Sequence, residues 1–408
     1  MTADLVLIGA GPHGLAVLAA LAARPEPWPD RVVVVDPHDR WMHAWDEKLA
    51  RLDLDRLRSP QVHHPGPRPM AFRDLVEAEA VEMQVGLRRP EAERVPTPAG
   101  MRVFVDGLVE GLGPVEWRRG RIVSIATGDG DSSQVQLELE ASTGPGDAHR
   151  IAAGHVVIAH NPSVPRVPEW AAALIERGAV QHASTVDLRE VGDDLRGRHV
   201  AVVGGGLTAG SLVAGALDRG ARVTLLTRRP LRARPYDVDA SWLGPRRLAV
   251  YDAASAAERR ALIDEARDGG TMPPRVLDAL WERERTPGSG LVIREAVDVE
   301  AEVLELLAEV DLESGGGDVA PPVTDVWFAT GFVNDVAEDP LVAPMVRHLG
   351  IPVHGGLPEV DGDLRLPGTN VFVAGPYAAL GVGPASRNLA GARPAAARIA
   401  AALVRGRA

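Results

Sequence analysis

The chain has 408 residues, 45% of them hydrophobic and 25% charged, with 44 basic against 56 acidic side chains and a formal net charge of −12. This is globular usage with material for two or three domains, and the acidic balance argues against general binding to nucleic acid or to an anionic membrane. Cysteine is absent and lysine occurs once, at Lys48, which does not end a Gly-x-x-x-x-Gly-Lys motif; this excludes a redox cysteine pair, a thiolate zinc site, an iron–sulfur cluster and a phosphate-loop lysine.

Asp4–Ile8 is a short apolar run of strand type, followed at once by Gly9-Ala10-Gly11-Pro12-His13-Gly14 and an alanine- and leucine-rich helix to about Ala23. Pro25, Pro27 and Pro29 end that helix. The acid before the apolar run and the glycines within it argue against a signal peptide or a spanning helix, so a soluble, cytoplasmic protein is expected. Arg31–Asp36 is an unbroken β-branched run that reads as a buried parallel strand, completing a βαβ unit. Loops and short helices are expected from Pro37 to Pro98, and a helix over Met101–Leu112. Arg121–Ala126, Gln134–Glu140 and His155–Ala159 suggest a small antiparallel sheet.

A second βαβ unit runs through His199–Val203, the turn Gly204–Gly210, a helix to about Arg219 and Arg222–Thr227. An irregular arginine-rich stretch, Arg228–Tyr251, follows. Ser255-Ala-Ala-Glu258 is a capping-box pattern opening a helix that stops at Gly269-Gly270. Ser314–Asp318 reads as a turn, Val323–Phe328 and Asn370–Ala374 as buried strands, and Leu389–Val404 as a closing helix.

The first glycine turn has the residue types that a dinucleotide needs. Gly9 permits the tight turn, Gly11 the approach of a pyrophosphate and Gly14 close helix–strand packing, while the helix start offers unpaired N–H groups. Asp36, ending the next strand, would accept hydrogen bonds from a ribose diol. The second turn, with Gly204, Gly206, Leu207 and Thr208, repeats the context, but Thr227-Arg228-Arg229 stands where NAD would need an acid. Arginines there pair with a 2′-phosphate, so NADPH is favoured over NADH. Two such turns suggest FAD with NADPH, hydride passing from nicotinamide to flavin.

With these motifs the chain resembles the two-dinucleotide-binding-domain flavoproteins, and among them the single-component FAD- and NADPH-dependent monooxygenases that include the N-hydroxylating enzymes. Gly-x-Gly-Pro-x-x-Leu-x-x-Leu-Ala at Gly9–Ala19 is similar to their FAD fingerprint, Pro12 and His13 falling within it. Ala329-Thr330-Gly331-Phe332 resembles their late Ala-Thr-Gly motif, and His155–Pro168 their earlier Ala-Thr-Gly-x-x-Pro-x-x-Pro segment, with His160 and Asn161 in place of Thr-Gly. Asn370–Arg393 resembles the last FAD strand and its helix, with Gly375-Pro376 where many reductases have Gly-Asp. The Baeyer–Villiger motif is missing, and Trp242-Leu243-Gly244 replaces an asparagine-containing segment of the ornithine and lysine hydroxylases, which argues against a long diamino-acid substrate.

The resemblance implies an α/β fold of two Rossmann-like dinucleotide-binding domains. The FAD domain would be discontinuous, residues 1–190 and 320–408, with the NADPH domain, 191–319, inserted. It implies reduction of FAD by NADPH, reaction with O2 to a flavin C4a-(hydro)peroxide, and oxygen transfer to a nitrogen, or a sulfur, of a small polar metabolite. Gly383 and Pro384 would enter the last helix at the flavin's N1 edge, with Arg387 and Asn388 in its first turn reaching flavin or substrate. Trp45 and the Arg58–His64 stretch would pack over the isoalloxazine, with His63 and His64 as proton donors or acceptors. No metal site is expected, nucleic-acid and membrane partners are not, and a homo-oligomer is compatible. Two other functions fit the same residues: an NADPH-dependent dehydrogenase or reductase without oxygen transfer, and a non-catalytic flavin-binding redox sensor.

Overall fold

The computed structural model describes residues 2–79, 95–127, 134–141, 148–176, 178, 180–192, 194–308 and 323–406. The turn expected at Ser314–Asp318 lies outside these. In chain order, β1 (Thr2–Ile8), α1 (Pro12–Ala22) and β2 (Val32–Asp36) form the first βαβ unit. Helices α2 (His43–Arg51), α3 (Ala71–Glu79) and α4 (Pro98–Glu110) follow, then β3 (Glu116–Thr127), β4 (Val135–Ala141) and β5 (Ala148–Ile158).

β1 lies between β2 and β5, parallel to both, with Leu5 opposite Val32 on one side and His155 on the other. β3 extends the sheet beyond β2 in parallel, and β4 runs antiparallel to both β3 and β5. The expected antiparallel sheet is therefore there, but not separate. β5 starts earlier than its apolar stretch suggests, and its second half joins the parallel core. Val32–Val35 are each at most 2% exposed, as a strand covered on both faces requires. α1 is buried from Gly14 to Ala19, so it is apolar all round rather than striped.

The second sheet is parallel throughout. Its strands are β6 (Gln181–His182), β7 (His199–Val203), β8 (Arg222–Thr227), β9 (Leu291–Glu295) and β10 (Asp325–Phe328), in the order β9-β8-β7-β10-β6. Helix α5 (Leu207–Asp218) links β7 to β8. The stretch read as irregular contains helix α6 (Pro245–Ala253), held by Tyr251, whose hydroxyl donates to the Ala379 carbonyl at 2.7 Å. Helix α7 (Ala256–Ala266) starts with the full Ser255–Glu258 capping box. After β10 the chain returns to the first sheet, adding β11 (Val371–Val373) parallel to β5 and then α8 (Leu389–Arg405). Ala392, Ala395, Ala396 and Ile399 of α8 share the core of the first sheet with α1.

The protein is thus an α/β fold of two Rossmann-like units, the second interrupting the first. The outgoing and returning segments pair at the crossing as a short antiparallel ribbon, Phe332 opposite Pro165 and Val333 opposite Val164. Among the described residues no helix is long and apolar enough to cross a membrane.

Candidate active site

Both glycine turns are built by the same device. Gly9 has φ +100°, and a Cβ there would lie 2.9 Å from the His160 nitrogen and 3.0 Å from the Ala159 carbonyl oxygen. Gly204 has φ +144°, and its Cβ would lie 2.4 Å from the Ala329 oxygen. Each turn is pressed against the alanine that ends the neighbouring parallel strand, so both need the left-handed backbone and the missing Cβ that glycine provides. The helices behind them start at Gly11 and Gly206, and neither has a side-chain cap. By contrast, Thr97 and Ser255 cap α4 and α7. The uncapped N–H groups, with open space beside Gly11, suit phosphate oxygens.

Asp36 accepts from the Ala10 N–H and the His38 N–H, both at 2.9 Å. This fixes its carboxylate at the first turn and leaves a lone pair on each oxygen for a hydroxyl. At the second turn Arg228 and Arg229 are both exposed, but they differ. Arg229 donates to the Asp268 carbonyl at 3.0 Å, whereas Arg228 has no partner among the described residues. Leu207 and Thr208 open α5. Gly270, expected only to stop a helix, lies against this turn; a Cβ there would be 2.9 Å from the Gly206 nitrogen.

The turns from the C-terminal part meet the first glycine turn. His13 Nε2 donates to Arg387 O at 3.4 Å, and its ring packs on Gly375. Gly375 O in turn accepts from the Ser386 hydroxyl at 2.6 Å. Gly383 and Pro384 are buried in the same turn. Pro12 is the first residue of α1, and Trp45 on α2 packs half-buried against the core of the first sheet. Thr330 and Gly331 sit instead in the crossing ribbon. The Thr330 hydroxyl donates to Arg166 O, and Gly331 O accepts from the Arg166 N–H at 2.9 Å.

Between the units lies a cluster that no sequence motif marks. Asp237, after β8, receives Arg267 at 2.6 Å, Asn388 at 3.2 Å, Arg387 at 3.3 Å and Arg58 at 3.5 Å. Burial opposes charge on this carboxyl, but Arg267, Arg387, Arg58 and the Asn388 amide hold it well below the usual carboxylate range. Its side chain keeps 32% exposure, so it is open to solvent rather than sealed in a core. Arg267 also donates to Pro384 O at 2.7 Å and to the Asn388 side-chain oxygen. Burial and the neighbouring Arg387 charge lower its pKa to about 10. Arg58 crosses from the first unit to donate to the carbonyls of Arg234, Pro235, Tyr236 and Thr271 and to the Thr271 hydroxyl. Lys48 is exposed and stands over the Phe332 ring at 5.8 Å. Desolvation and the charges of Arg387 and Arg51 lower its pKa.

The two histidines expected to act on protons separate. His63 is half-buried with its ring 6.0 Å from that of Tyr236 in the other unit; burial and the Arg393 charge lower its pKa to about 4. His64 is fully buried between Phe72 and Phe104. Its Nδ1 accepts from the Gly66 N–H and its Nε2 donates to Pro69 O, both at 3.1 Å. With both nitrogens engaged, His64 is a structural residue of the loop, which corrects its expected place in proton chemistry.

Comparisons with known proteins fit this architecture. No curated protein matches the chain in sequence. Among solved structures, the ornithine N-hydroxylase of Kutzneria sp. 744, crystallised with reduced FAD, NADP+ and L-ornithine, superposes with a TM-score of 0.73 at 18% identity over 100% of both chains. The FAD-bound cadaverine monooxygenase of Erwinia amylovora gives 0.73 at 15% identity, covering 99% of this chain and 95% of that one. A bacillithiol disulfide reductase of Bacillus cereus gives 0.55 at 16% identity over 100% of both. At such identities the likeness is one of fold. Residues 3–243, more than half of the chain, match the family described as pyridine nucleotide-disulphide oxidoreductase, and to that family the chain belongs.

Proposed function

We propose that the chain is an FAD- and NADPH-dependent monooxygenase that uses O2 to oxygenate a nitrogen, or a sulfur, of a small polar metabolite. The observation that carries this reading is the presence of two uncapped glycine turns, one in each Rossmann-like unit, in a chain without cysteine. Disulfide chemistry, which names the family, has no residues here, so electrons entering at one turn must leave through a cofactor at the other. The greater likeness to the ornithine and cadaverine hydroxylases than to the disulfide reductase supports oxygen transfer over simple reduction.

In this reading residues 1–190 and 320–408 bind FAD and residues 191–319 bind NADPH. Gly9, Gly11, Pro12 and Gly14 cradle the FAD pyrophosphate, and Asp36 takes its ribose. Gly204, Gly206, Leu207 and Thr208 hold the NADPH pyrophosphate, and Arg228 takes the 2′-phosphate. When bound, the flavin supplies hydride acceptance and oxygen activation. The protein's part is placement. The start of α8, with Pro384 and Asn388 pinned by Arg267, sets N–H groups and a helix dipole where anionic charge on the flavin ring would need them. His63, neutral at physiological pH, offers a hydrogen-bonding group beside Tyr236 rather than a cationic acid. The test is anaerobic mixing with reduced nucleotide. NADPH should bleach the bound flavin, and NADH should do so roughly tenfold less efficiently. A protein that retains flavin but is not bleached by either would overturn the reading and leave a redox sensor.

A further inference from the structure

Two histidine nitrogens at the first glycine turn, His13 Nδ1 and His160 Nδ1, are buried and have no partner among the described residues. His13 stands in the first turn of α1, and its Nε2 donates to Arg387 O. Burial lowers its pKa to about 4, so at neutral pH the ring is uncharged and Nδ1 carries a lone pair. His160 follows Ala159, whose N–H donates to Ile8 O at 2.8 Å, and a Cβ on Gly9 would lie 2.9 Å from its backbone nitrogen. Its Nε2 is 2.7 Å from the Asp339 carboxylate. That carboxylate, 3% exposed, also accepts from the Tyr377 hydroxyl at 2.8 Å and from the Leu341 and Val342 N–H groups. Burial opposes its charge, but the hydrogen bonds from His160 and Tyr377 hold it below the usual carboxylate range. An ionised carboxylate has no proton to give, so Nε2–H of His160 is the donor and its neutral ring leaves Nδ1 as a second lone pair. Buried acceptors of this kind call for a donor that the protein does not supply.

The strand order indicates which donor. β2, β1, β5 and β11 lie side by side and parallel, and their ends set Asp36, the Gly9 turn, His160 and Gly375 in that order along one edge of the sheet. The His13 ring packs on Gly375, and the His160 ring stands edge-on to that of Tyr377 at 6.3 Å, so both rings flank the Gly375–Tyr377 segment. A diphosphate suits the N–H groups at the start of α1, but it has no hydrogen to give a lone pair. The adenosine ribose goes to Asp36, on the β2 side of the turn. On the far side of the diphosphate FAD continues as its ribityl chain, whose hydroxyls are donors. We propose that His13 and His160 are acceptors for the ribityl hydroxyls of FAD, with Asp339 as the positioning residue that fixes the His160 ring and its tautomer. This assignment rests on the reading of the first turn as an FAD site. It gives that turn a means of telling FAD from ADP, which ends at the diphosphate.

Full-length protein stripped of flavin is titrated calorimetrically with FAD and with ADP at about pH 8, above the ordinary histidine range. The comparison is between wild type, His13→Gln, His160→Gln, His160→Asn and Asp339→Asn. A glutamine amide nitrogen stands in for Nε2 and removes the acceptor at Nδ1, whereas an asparagine amide oxygen takes the place of Nδ1. The expected result is that each glutamine variant binds FAD about tenfold more weakly while its ADP affinity stays within about twofold. His160→Asn should recover part of the FAD affinity, and Asp339→Asn should weaken FAD alone by a smaller factor. ADP binding by the same variants shows that the turn is folded. Equal losses for FAD and ADP would assign the rings to the turn itself and overturn the proposal. Unchanged FAD affinity in both glutamine variants would leave the nitrogens to water and overturn it as well. The functional reading fails separately: FAD that binds as expected but is not reduced by NADPH would sink the monooxygenase and leave the two acceptors standing. A wild type that binds no FAD would overturn both.

Discussion

At Gly9 the backbone is left-handed and the space for a side chain is taken by the Ala159–His160 peptide. Gly9→Ala adds both backbone strain and a backbone clash, a loss of about 2–4 kcal/mol. Thermal melting should fall by several degrees, with flavin released during purification. Arg228 and Arg229 are neighbours with different duties, which gives a sharper test. Arg228→Ser should raise KM for NADPH about tenfold to a hundredfold while leaving KM for NADH nearly unchanged. Arg229→Ser, which removes a bond to the Asp268 backbone, should cost stability with a smaller change in nucleotide preference. Initial-rate kinetics with both nucleotides compare the two.

On the scale of elements, the loop after β8, the segment before α8 and the Arg58 stretch are held as one body by Asp237 and its guanidiniums. The folded-state pKa of Asp237 is depressed, so its contribution to stability is complete above the unfolded carboxyl value of about 4 and is lost as pH falls from there towards the lower folded value. Urea unfolding of the wild type should therefore weaken between about pH 5 and pH 3 more steeply than that of Asp237→Asn. The variant should already be less stable at neutral pH, because it leaves Arg267 without its counter-charge. Arg58 offers the complementary test. It bridges two units through several carbonyls with 13% of its side chain exposed, so Arg58→Ala should cost about 3–5 kcal/mol. Limited proteolysis should then cut the loop near Pro235 faster than in the wild type.

The elements that the sequence makes legible are those specified locally. Val32–Val35 declare a covered strand, the Ser255–Glu258 box a helix start, and the glycine spacing both nucleotide turns. Residues whose roles depend on distant partners were not legible. Asp237 lies among arginines of similar spacing, and only folding selects Arg267, Arg387 and Arg58 as its neighbours while leaving Arg232 to Asp268. The adjacent His63 and His64 are alike in sequence, yet one is half-buried beside Tyr236 and the other is sealed between Phe72 and Phe104. β5 was read short because Arg150 and His149, paired with Glu138 and Leu139 of β4, interrupt its apolar pattern on the antiparallel side. Arg58 stands out in the sequence only as the first residue of the Arg58–His64 stretch, and its bridging role is not legible there because its partners are backbone carbonyls, which carry no sequence signal.

For the whole molecule, two Rossmann-like units are joined by a short antiparallel ribbon and by the Asp237 cluster, and the proposed function places one dinucleotide on the glycine turn of each. A chain without cysteine has no thiol pair to receive electrons there. The claim that unites these features is that the electrons of NADPH go with O2 into the substrate. The direct measurement is turnover of the flavin-loaded protein with NADPH and a panel of amines and amino acids, acidic ones included, under isotopically labelled oxygen gas, with products read by mass spectrometry. The account predicts an amine product carrying one labelled oxygen atom, formed in proportion to NADPH consumed and absent without oxygen. Sustained NADPH oxidation under anaerobic conditions with an organic acceptor, and no label in any product, would contradict it.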